Sequence, residues 1–297
     1  MEIRNLITFA RVAELGSFTR AAKALSYSQS TVSFQIKQLE SELDCLLFER
    51  INHTVSLTER GRDLLAYAQK IEHLTEDFRG GAEAPERMTA RLHVAAPDSV
   101  CEEMLIKNYV DFHSHYPGID LTFTNADTAT MTRMLDHNEV DLIVTLDSRI
   151  CRSDYVIAKE KQVPMRIVTG AASAYAAKKE LTISALAELP LILTEHGVGY
   201  RRAFDEAAAR LSIELRPVLE VGRTDIITTM LEQGFGVSFL PDFVCAEKVR
   251  RGSLVYLDVP ELEVDIWKQL IYHKNKWLSR SLAALIEYIQ LHEFGKE

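Results

Sequence analysis

The stretch GSFTRAAKALSYSQSTVSFQIKQLE, from Gly16 to Glu40, limits the fold more than any other part of the chain. It holds two short apolar patterns parted only by Ser26-Tyr27-Ser28. Upstream, Leu6, Phe9, Ala10, Val12, Ala13 and Leu15 recur at three- and four-residue intervals, which predicts a helix with one apolar side. Gly16 ends it, because glycine accepts a positive φ. Ser17 or Thr19 caps a second helix carrying Ala21, Ala22, Ala24 and Leu25, whose small side chains let helices cross closely. Ser28 is a good N-cap for a third helix, from about Gln29 to Leu43. There Val32, Ile36, Leu39 and Leu43 fall at i, i+4, i+7 and i+11, so they share the buried face.

That assignment turns Ser30, Ser33, Phe34, Lys37 and Gln38 elsewhere, with Gln29 at the exposed start. Two short helices, a tight turn and a second helix with a polar N-terminal face form a helix-turn-helix. Glutamine pairs bidentately with adenine, serine bonds base edges or phosphates, and Lys37 suits a phosphate. The plain alternative is a solvated helix face. Downstream, LLFERINHTVSLTERG alternates apolar and polar residues across Val55 and Leu57, with Asn52 and His53 as a turn. This predicts a β-hairpin wing, with Arg50 and His53 near a phosphate backbone.

Residues 1 to about 62 resemble the winged helix-turn-helix of the LysR-type transcriptional regulators. The resemblance rests on FARVAELGSFTRAAKALSYSQSTVSFQIKQLESEL, LFER and LTERG, in register without a gap. It implies DNA contacts at Gln29, Ser30, Thr31, Ser33, Phe34, Gln35 and Lys37, and in the wing at Arg50 and His53. The chain departs from the family pattern at Ser30, where proline is usual, and at Phe34, where arginine is usual. It departs again in a wing with Asn52 and Thr54 where arginines are common. Phe34 cannot make a bidentate guanine contact; it can meet a thymine methyl or pack under Tyr27.

Charge narrows the DNA surface. The net charge is −9. Residues 1–87 hold 11 Lys and Arg against 13 Asp and Glu, a net −2, which leaves −7 for the remainder. Any phosphate contact must therefore be local, because counterion release needs cations beside the backbone. Two protomers on one DNA face would offset that weakness. In RGRDLLAYAQKIEHLTEDFRGGAEAPER, Leu64, Ile71 and Phe78 lie seven apart, with Tyr67 or Ala68 and Leu74 between them. Such spacing predicts a helical dimer seam, or else a helix packed on its own domain. The resemblance implies the dimer. GGAEAPE then reads as a hinge.

From Arg91 the pattern changes. RLHVAA, a capped helix, IDLTFT, a second helix and DLIVTL give β-α-β-α-β, hence a parallel sheet and the α/β class. YVIAKE and MRIVTG lead to a second α/β unit, and DIWKQLIYHKN with a helix from about Ser279 returns to the first. Two lobes with a cleft between them match solute-binding receptors. The expected organisation has an N-terminal winged helix-turn-helix (1–62), a linker helix and hinge (63–87), and a two-lobed, periplasmic-binding-protein-like α/β domain (88–297). Lobe I takes about 88–160 and 266–297, and lobe II about 161–265. The resemblance makes this last part an inducer-binding domain.

Sites in open α/β sheets lie beyond strand carboxyl ends, at helix N-termini. This selects Pro97, Asp98, Ser99 and Val100, then Asp127 and Thr128, then Glu195, His196, Gly197, Tyr200 and Arg201. Helix capping alone would equally account for Ser99 and Thr128. The three carboxylates oppose a strongly anionic ligand and leave a zwitterion or a neutral polar molecule. HGVGY lacks the third glycine of a dinucleotide fingerprint, and there is no G-x-S-x-G elbow. Neither a cofactor nor an enzymatic activity is expected. Cys45, Cys101, Cys151 and Cys245 lie far apart without metal spacing, so no metal is expected. Peroxide-sensing members of the family use cysteines in lobe II, but TEHGVGYRRAF has none.

No apolar run nears the ~20 residues of a membrane helix, and the N-terminus does not read as a signal peptide. The expected protein is therefore a cytoplasmic homodimeric or homotetrameric regulator. It binds an interrupted DNA dyad and a small-molecule effector, with RNA polymerase as a further partner left open. The competing reading is a cytoplasmic receptor or enzyme whose N-terminal helices only dimerise.

Overall fold

The computed structural model describes residues 1–51, 54–80, 88–178 and 180–295. Helix α1 (Ile3–Leu15) stops where Gly16 turns left-handed at φ 58°, its N–H donating to the Val12 carbonyl. The Ser17 hydroxyl accepts from the Arg20 N–H and starts α2 (Phe18–Ala24). The Ser28 hydroxyl accepts from the Thr31 N–H and starts α3 (Gln29–Leu43). Each hydroxyl satisfies an N–H that the first helical turn leaves without a partner. Strands β1 (Phe48–Ile51) and β2 (Thr54–Leu57) pair antiparallel as a wing. Helix α4 (Glu59–Gly80) follows.

The head's core forms where these helices cross. Phe9, Val12, Ala21, Val32, Ile36, Leu39 and Leu47 are sealed from solvent. Phe48 closes the cluster, with its ring 5.3 Å from Phe9 and 5.6 Å from Phe18. A polar seam runs beside it. Thr8 donates its hydroxyl to Gln35 Oε1 at 2.8 Å, and Asn5 donates to Gln38 at 3.3 Å.

The GGAEAPE segment read as a hinge lies, from residue 81 on, outside the described residues; from residue 88 the chain runs through β3 (Ala90–Ala96), α5 (Asp98–His115), β4 (Ile119–Asn125), α6 (Thr128–Asp136), β5 (Leu142–Asp147) and β6 (Tyr155–Gln162). Only Val163 and Pro164 separate β6 from β7 (Met165–Gly170). Next come α7 (Ile183–Ala187), β8 (Ile192–Leu193), α8 (Gly199–Arg210), β9 (Leu219–Glu220), α9 (Thr224–Glu232), β10 (Val237–Pro241), α10 (Asp242–Arg250) and β11 (Leu254–Leu257). The chain closes with β12 (Trp267–His273) and α11 (Arg280–Glu293).

One sheet has the order β4-β3-β5-β12-β6. Strand β3 is parallel to β4 and β5, whereas the returning β12 is antiparallel to β5 and β6. A second sheet, β10-β7-β11, is antiparallel, and a short parallel pair joins β8 to β9. Every residue of β5 is buried, as expected of a strand covered on both faces. One apolar cluster continues across both units, from Val94 and Val144 to Leu193, Tyr200 and Phe239. The first unit thus contains β3–β6 and returns through β12 and α11, while β7–β11 form the second.

Ile36 fixes α3 against α1 and α2. Ile36→Ala is expected to destabilise the head by about 2–5 kcal/mol, the usual cost of such a core truncation. Denaturant unfolding of the full chain should show the head's transition shifted and the α/β domain's retained.

Candidate functional site

The outer side of α3 is the first candidate surface. Its inner side is set by Val32, Ile36 and Leu39, all fully buried. At its N-terminal end Tyr27, Ser28, Gln29 and Ser30 are exposed, as are Phe34 and Lys37 further along. Ser33 and Thr31 are half-buried. Thr31 Oγ1 and Ser30 Oγ each lie 2.7 Å from Ser28 Oγ, so the cap and the first turn share a hydroxyl network. Phe34 stands 67% exposed.

Gln35 corrects the expectation. It is 7% exposed and accepts the Thr8 hydroxyl, so it faces α1 and belongs to the head's interior. A helix rotates 100° per residue, and the position after Phe34 is carried round to the core side. Arg50 lies in β1, but its side chain is outside the described residues, as is His53.

Helix α4 packs on its own head, the alternative that the seven-residue spacing left open. Ala68 is 1% exposed within the head's own core, and Leu64 and Ile71 pack against that core. These three positions therefore make an intramolecular contact, as α4 lies on α1, with Leu64 and Ile71 keeping part of their surface open. Tyr67 is the exposed neighbour. The Leu74 and Phe78 side chains lie outside the described residues.

The second candidate is a cleft of 340 Å³ between the two α/β units. Its walls include Pro97, Asp98, Asp127, Thr128, Glu195 and Gly197, all selected from the sequence. Asp127 also caps α6, accepting from the Thr130 N–H at 2.7 Å. Several bridges cross between the units, among them two at the cleft. The Thr224 N–H, at the start of α9, donates to Asp98 Oδ2 at 3.2 Å. Arg202 on α8 meets Asp147, at the end of β5, at 2.7 Å. Close approach is allowed there because residue 199 is glycine: a Cβ would lie 2.2 Å from the Asp147 carboxyl carbon.

Five selected residues do not line this cleft. Val100 is core, and Ser99 is buried on a neighbouring cavity beside Glu102 and Thr228. Tyr200 is fully buried. Arg201 is 1% exposed and held by Asp205, Glu220 and the Thr194 carbonyl. His196 turns its ring nitrogens to Asp205 at 3.1 Å and Glu220 at 3.3 Å. The reason is helical geometry. Of α8, Gly199 reaches the cleft, while Tyr200 turns into the core and Arg201 ties α8 to Glu220 of β9. Val198 and Gly199, inside the selected run from Glu195 to Arg201, also line it, and the cleft gains Asn125, Ala126, Leu146, Gly222 and Arg223, which sequence reasoning missed. Asn125 ends β4 and Ala126 follows it, so the strand-end rule could have found them. Gly222 and Arg223 lie between the end of β9 and the start of α9, so the same rule could have found them.

A third contact joins head to lobe. Lys276, 8% exposed, follows β12 and places Nζ 2.7 Å from Asp141 Oδ1 and 2.6 Å from Asn138 Oδ1. The same ammonium is 3.8 Å from Glu14 of α1. Arg11 bonds Glu14 at 2.6 Å and lies over the Trp277 ring at 5.8 Å. A buried ammonium requires such partners, because leaving it unpaired is costly.

The cysteines stay apart. All four are free thiols. Burial, reinforced by Asp98, pushes the Cys101 thiol up to about 11. Burial, reinforced by Asp242, pushes Cys245 up to about 12. Among the described residues, no group of His, Cys, Asp and Glu is placed to hold a metal ion.

A winged helix-turn-helix head on a two-lobed α/β ligand-binding domain defines a one-component DNA-binding regulator. Two family models match most of the chain. Residues 3–62 match the bacterial regulatory helix-turn-helix protein, lysR family, and residues 85–292 match the LysR substrate binding domain. The chain belongs to the LysR family of transcriptional regulators, which bind DNA and effectors as oligomers. An uncharacterized HTH-type transcriptional regulator, YwqM, of Bacillus subtilis (strain 168) is 30% identical, covering 97% of this chain and 98% of its own. The RuBisCO operon transcriptional regulator of Allochromatium vinosum is 27% identical, over 97% and 95%. Among solved structures, a full-length OxyR variant from Pseudomonas aeruginosa has the same fold at 24% identity. It aligns with a TM-score of 0.57 over 98% of this chain and 95% of its own. Among the described residues, no helix is long and apolar enough to cross a membrane.

Two outcomes follow. At pH 8, Cys151, the exposed thiol, should be alkylated first by iodoacetamide. Cys101 should react at least about a hundred-fold more slowly than an unburied thiol, and Cys245 more slowly still, because so little of either is thiolate; peptide mass spectrometry reads the order. Gln35→Ala should cost about 1–3 kcal/mol by stripping Thr8 of its partner, with chemical denaturation as the readout.

Proposed function

We propose that the exposed N-terminal face of α3 enters the major groove of an operator, with Gln29, Ser30, Thr31, Ser33, Phe34 and Lys37 as its contact set. Arg50 and His53 of the wing would reach the flanking phosphates. The observation that carries this reading is the division of α3: its aliphatic residues and Gln35 are sealed inside, while its capped end is open to solvent. Residues 1–62 would act as the DNA-binding unit, 63–87 as the linker and 88–297 as the effector domain. The two α/β units then correspond to lobes I and II.

The cleft would hold the effector. Asp98, Asp127 and Glu195 favour a zwitterionic or neutral polar molecule over an anion. Binding there draws on both lobes, so it acts on the Asp98–Thr224 and Asp147–Arg202 bridges. A ligand shifts the equilibrium only through different affinity for two arrangements. Strand β5 gives a path for the change, since Asp147 ends it and Asp141, just before its start, holds Lys276 beneath the head. The assembly would be a homodimer or homotetramer on an interrupted dyad in the cytoplasm, placed to contact RNA polymerase. The chain would act by binding and not by catalysis.

Titrating full-length protein onto DNA from upstream of its own coding region tests the reading. Gln29→Ala and Ser33→Arg should each weaken specific binding by about 1–3 kcal/mol, the worth of a good base contact. Affinity should fall steeply with salt. Unchanged footprints and affinities for both variants would remove α3 from the interface.

A further inference from the structure

Helix α3 carries one large apolar side chain that the head's core does not absorb. Phe34 is 67% exposed, whereas Phe9, Phe18 and Phe48 are buried, with the Phe9 and Phe18 rings each packed against Phe48. Ser30 lies one turn before it and Lys37 one turn after, so all three share a strip of helix surface. Tyr27, 42% exposed, stands in the turn that leads into this strip. The hydroxyls of Ser30 and Thr31 are engaged with Ser28. The long exposed side chains left on this end of the helix are Gln29, Phe34 and Lys37.

We propose that Phe34 reads a thymine methyl group in the major groove. This rests on α3 being the DNA-facing helix. A phenyl ring has no N–H, O–H or lone pair to offer a base edge. In the major groove, adenine, guanine and cytosine present hydrogen-bonding atoms to the protein, and thymine adds the C5-methyl, an apolar group. A ring seated against a purine N7 or a cytosine amino group would strip water from it and return nothing. Against a methyl, it removes apolar surface on both partners. Lys37, a turn away, supplies the phosphate contact that fixes the register, and phosphate contacts carry no sequence information. Phe34 therefore selects thymine at its own step of each half-site and disfavours the other three bases.

The test isolates a single methyl group. Duplexes that bind full-length wild-type protein are selected from a random pool, and each thymine is then replaced in turn by deoxyuridine. At one thymine per half-site, this change should weaken wild-type binding about four-fold, the equivalent of ~0.8 kcal/mol for one buried carbon. Phe34→Ala should bind the thymine duplex more weakly, yet bind thymine and uracil duplexes alike, with an unchanged melting temperature. Two results would overturn the inference: wild-type protein indifferent to deoxyuridine everywhere, or Phe34→Ala still penalised at the same position. A Phe34→Ala variant that alters oligomeric state but not DNA affinity would also overturn it, assigning the ring to a protein contact. Gln29→Ala and Lys37→Ala serve as the separate arm. If they weaken binding while Phe34 shows no methyl dependence, this inference alone fails. If they too leave binding intact, the DNA-facing reading of α3 fails with it.

Discussion

The crossing of α3 over α1, sealed by Val32, Ile36 and Leu39, is the contact from which the rest follows. A 15-residue helix has few ways to bury an aliphatic stripe at that spacing. Once the stripe is inward, the start of the helix is outward. The turn before it is held by the Ser28 cap and by Ser26 at a positive φ of 56°. The Thr8–Gln35 and Asn5–Gln38 bonds add direction to this packing. Apolar contacts tolerate small rotations, whereas a buried amide that must meet a hydroxyl does not. The polar seam thus fixes the rotation of α3 about its axis, and with it which side chains meet a partner.

Regulation requires that the cleft and the head share a rigid element. Strand β5 is buried along its whole length and bonded to β3 and β12 on either side. Its far end holds Asp147 at the lobe junction, and Asp141 precedes its near end, paired to Lys276. Lys276 also faces Glu14 of α1. A shift of lobe II against Asp147 therefore acts on an element that is anchored beneath the head. Packed interiors pass such displacements on because they compress little.

Much of this was legible in the sequence, for local reasons. The stripe at 32, 36 and 39, the Gly16 stop and the Ser28 cap are each decided within one or two turns of chain. The β-α-β-α-β order from Arg91 and the strand-end sites at Asp98 and Asp127 are also set by short-range pattern. What escaped was decided by residues far apart in sequence. Gln35 reads as polar and outward until Thr8, 27 residues earlier, supplies its partner. The seven-residue spacing of Leu64 and Ile71 is the same whether a helix covers another chain or its own head, so periodicity alone could not choose. Arg201 and His196 follow a strand end as a ligand residue would, yet Asp205 and Glu220 hold both.

The orientation of α3 can be measured directly by thiol footprinting. In a chain with Cys45→Ser and Cys151→Ser, single cysteines are introduced by Ser30→Cys and Lys37→Cys at the open end of the helix. Ser41→Cys, near its other end, provides a comparison. Alkylation rates are then compared with and without bound operator duplex. Thiols at 30 and 37 should become strongly protected when the complex forms, while the thiol at 41 changes little. Equal rates at 30 and 37, free and bound, with the complex verified in the same tube, would contradict the placement of this helix in DNA.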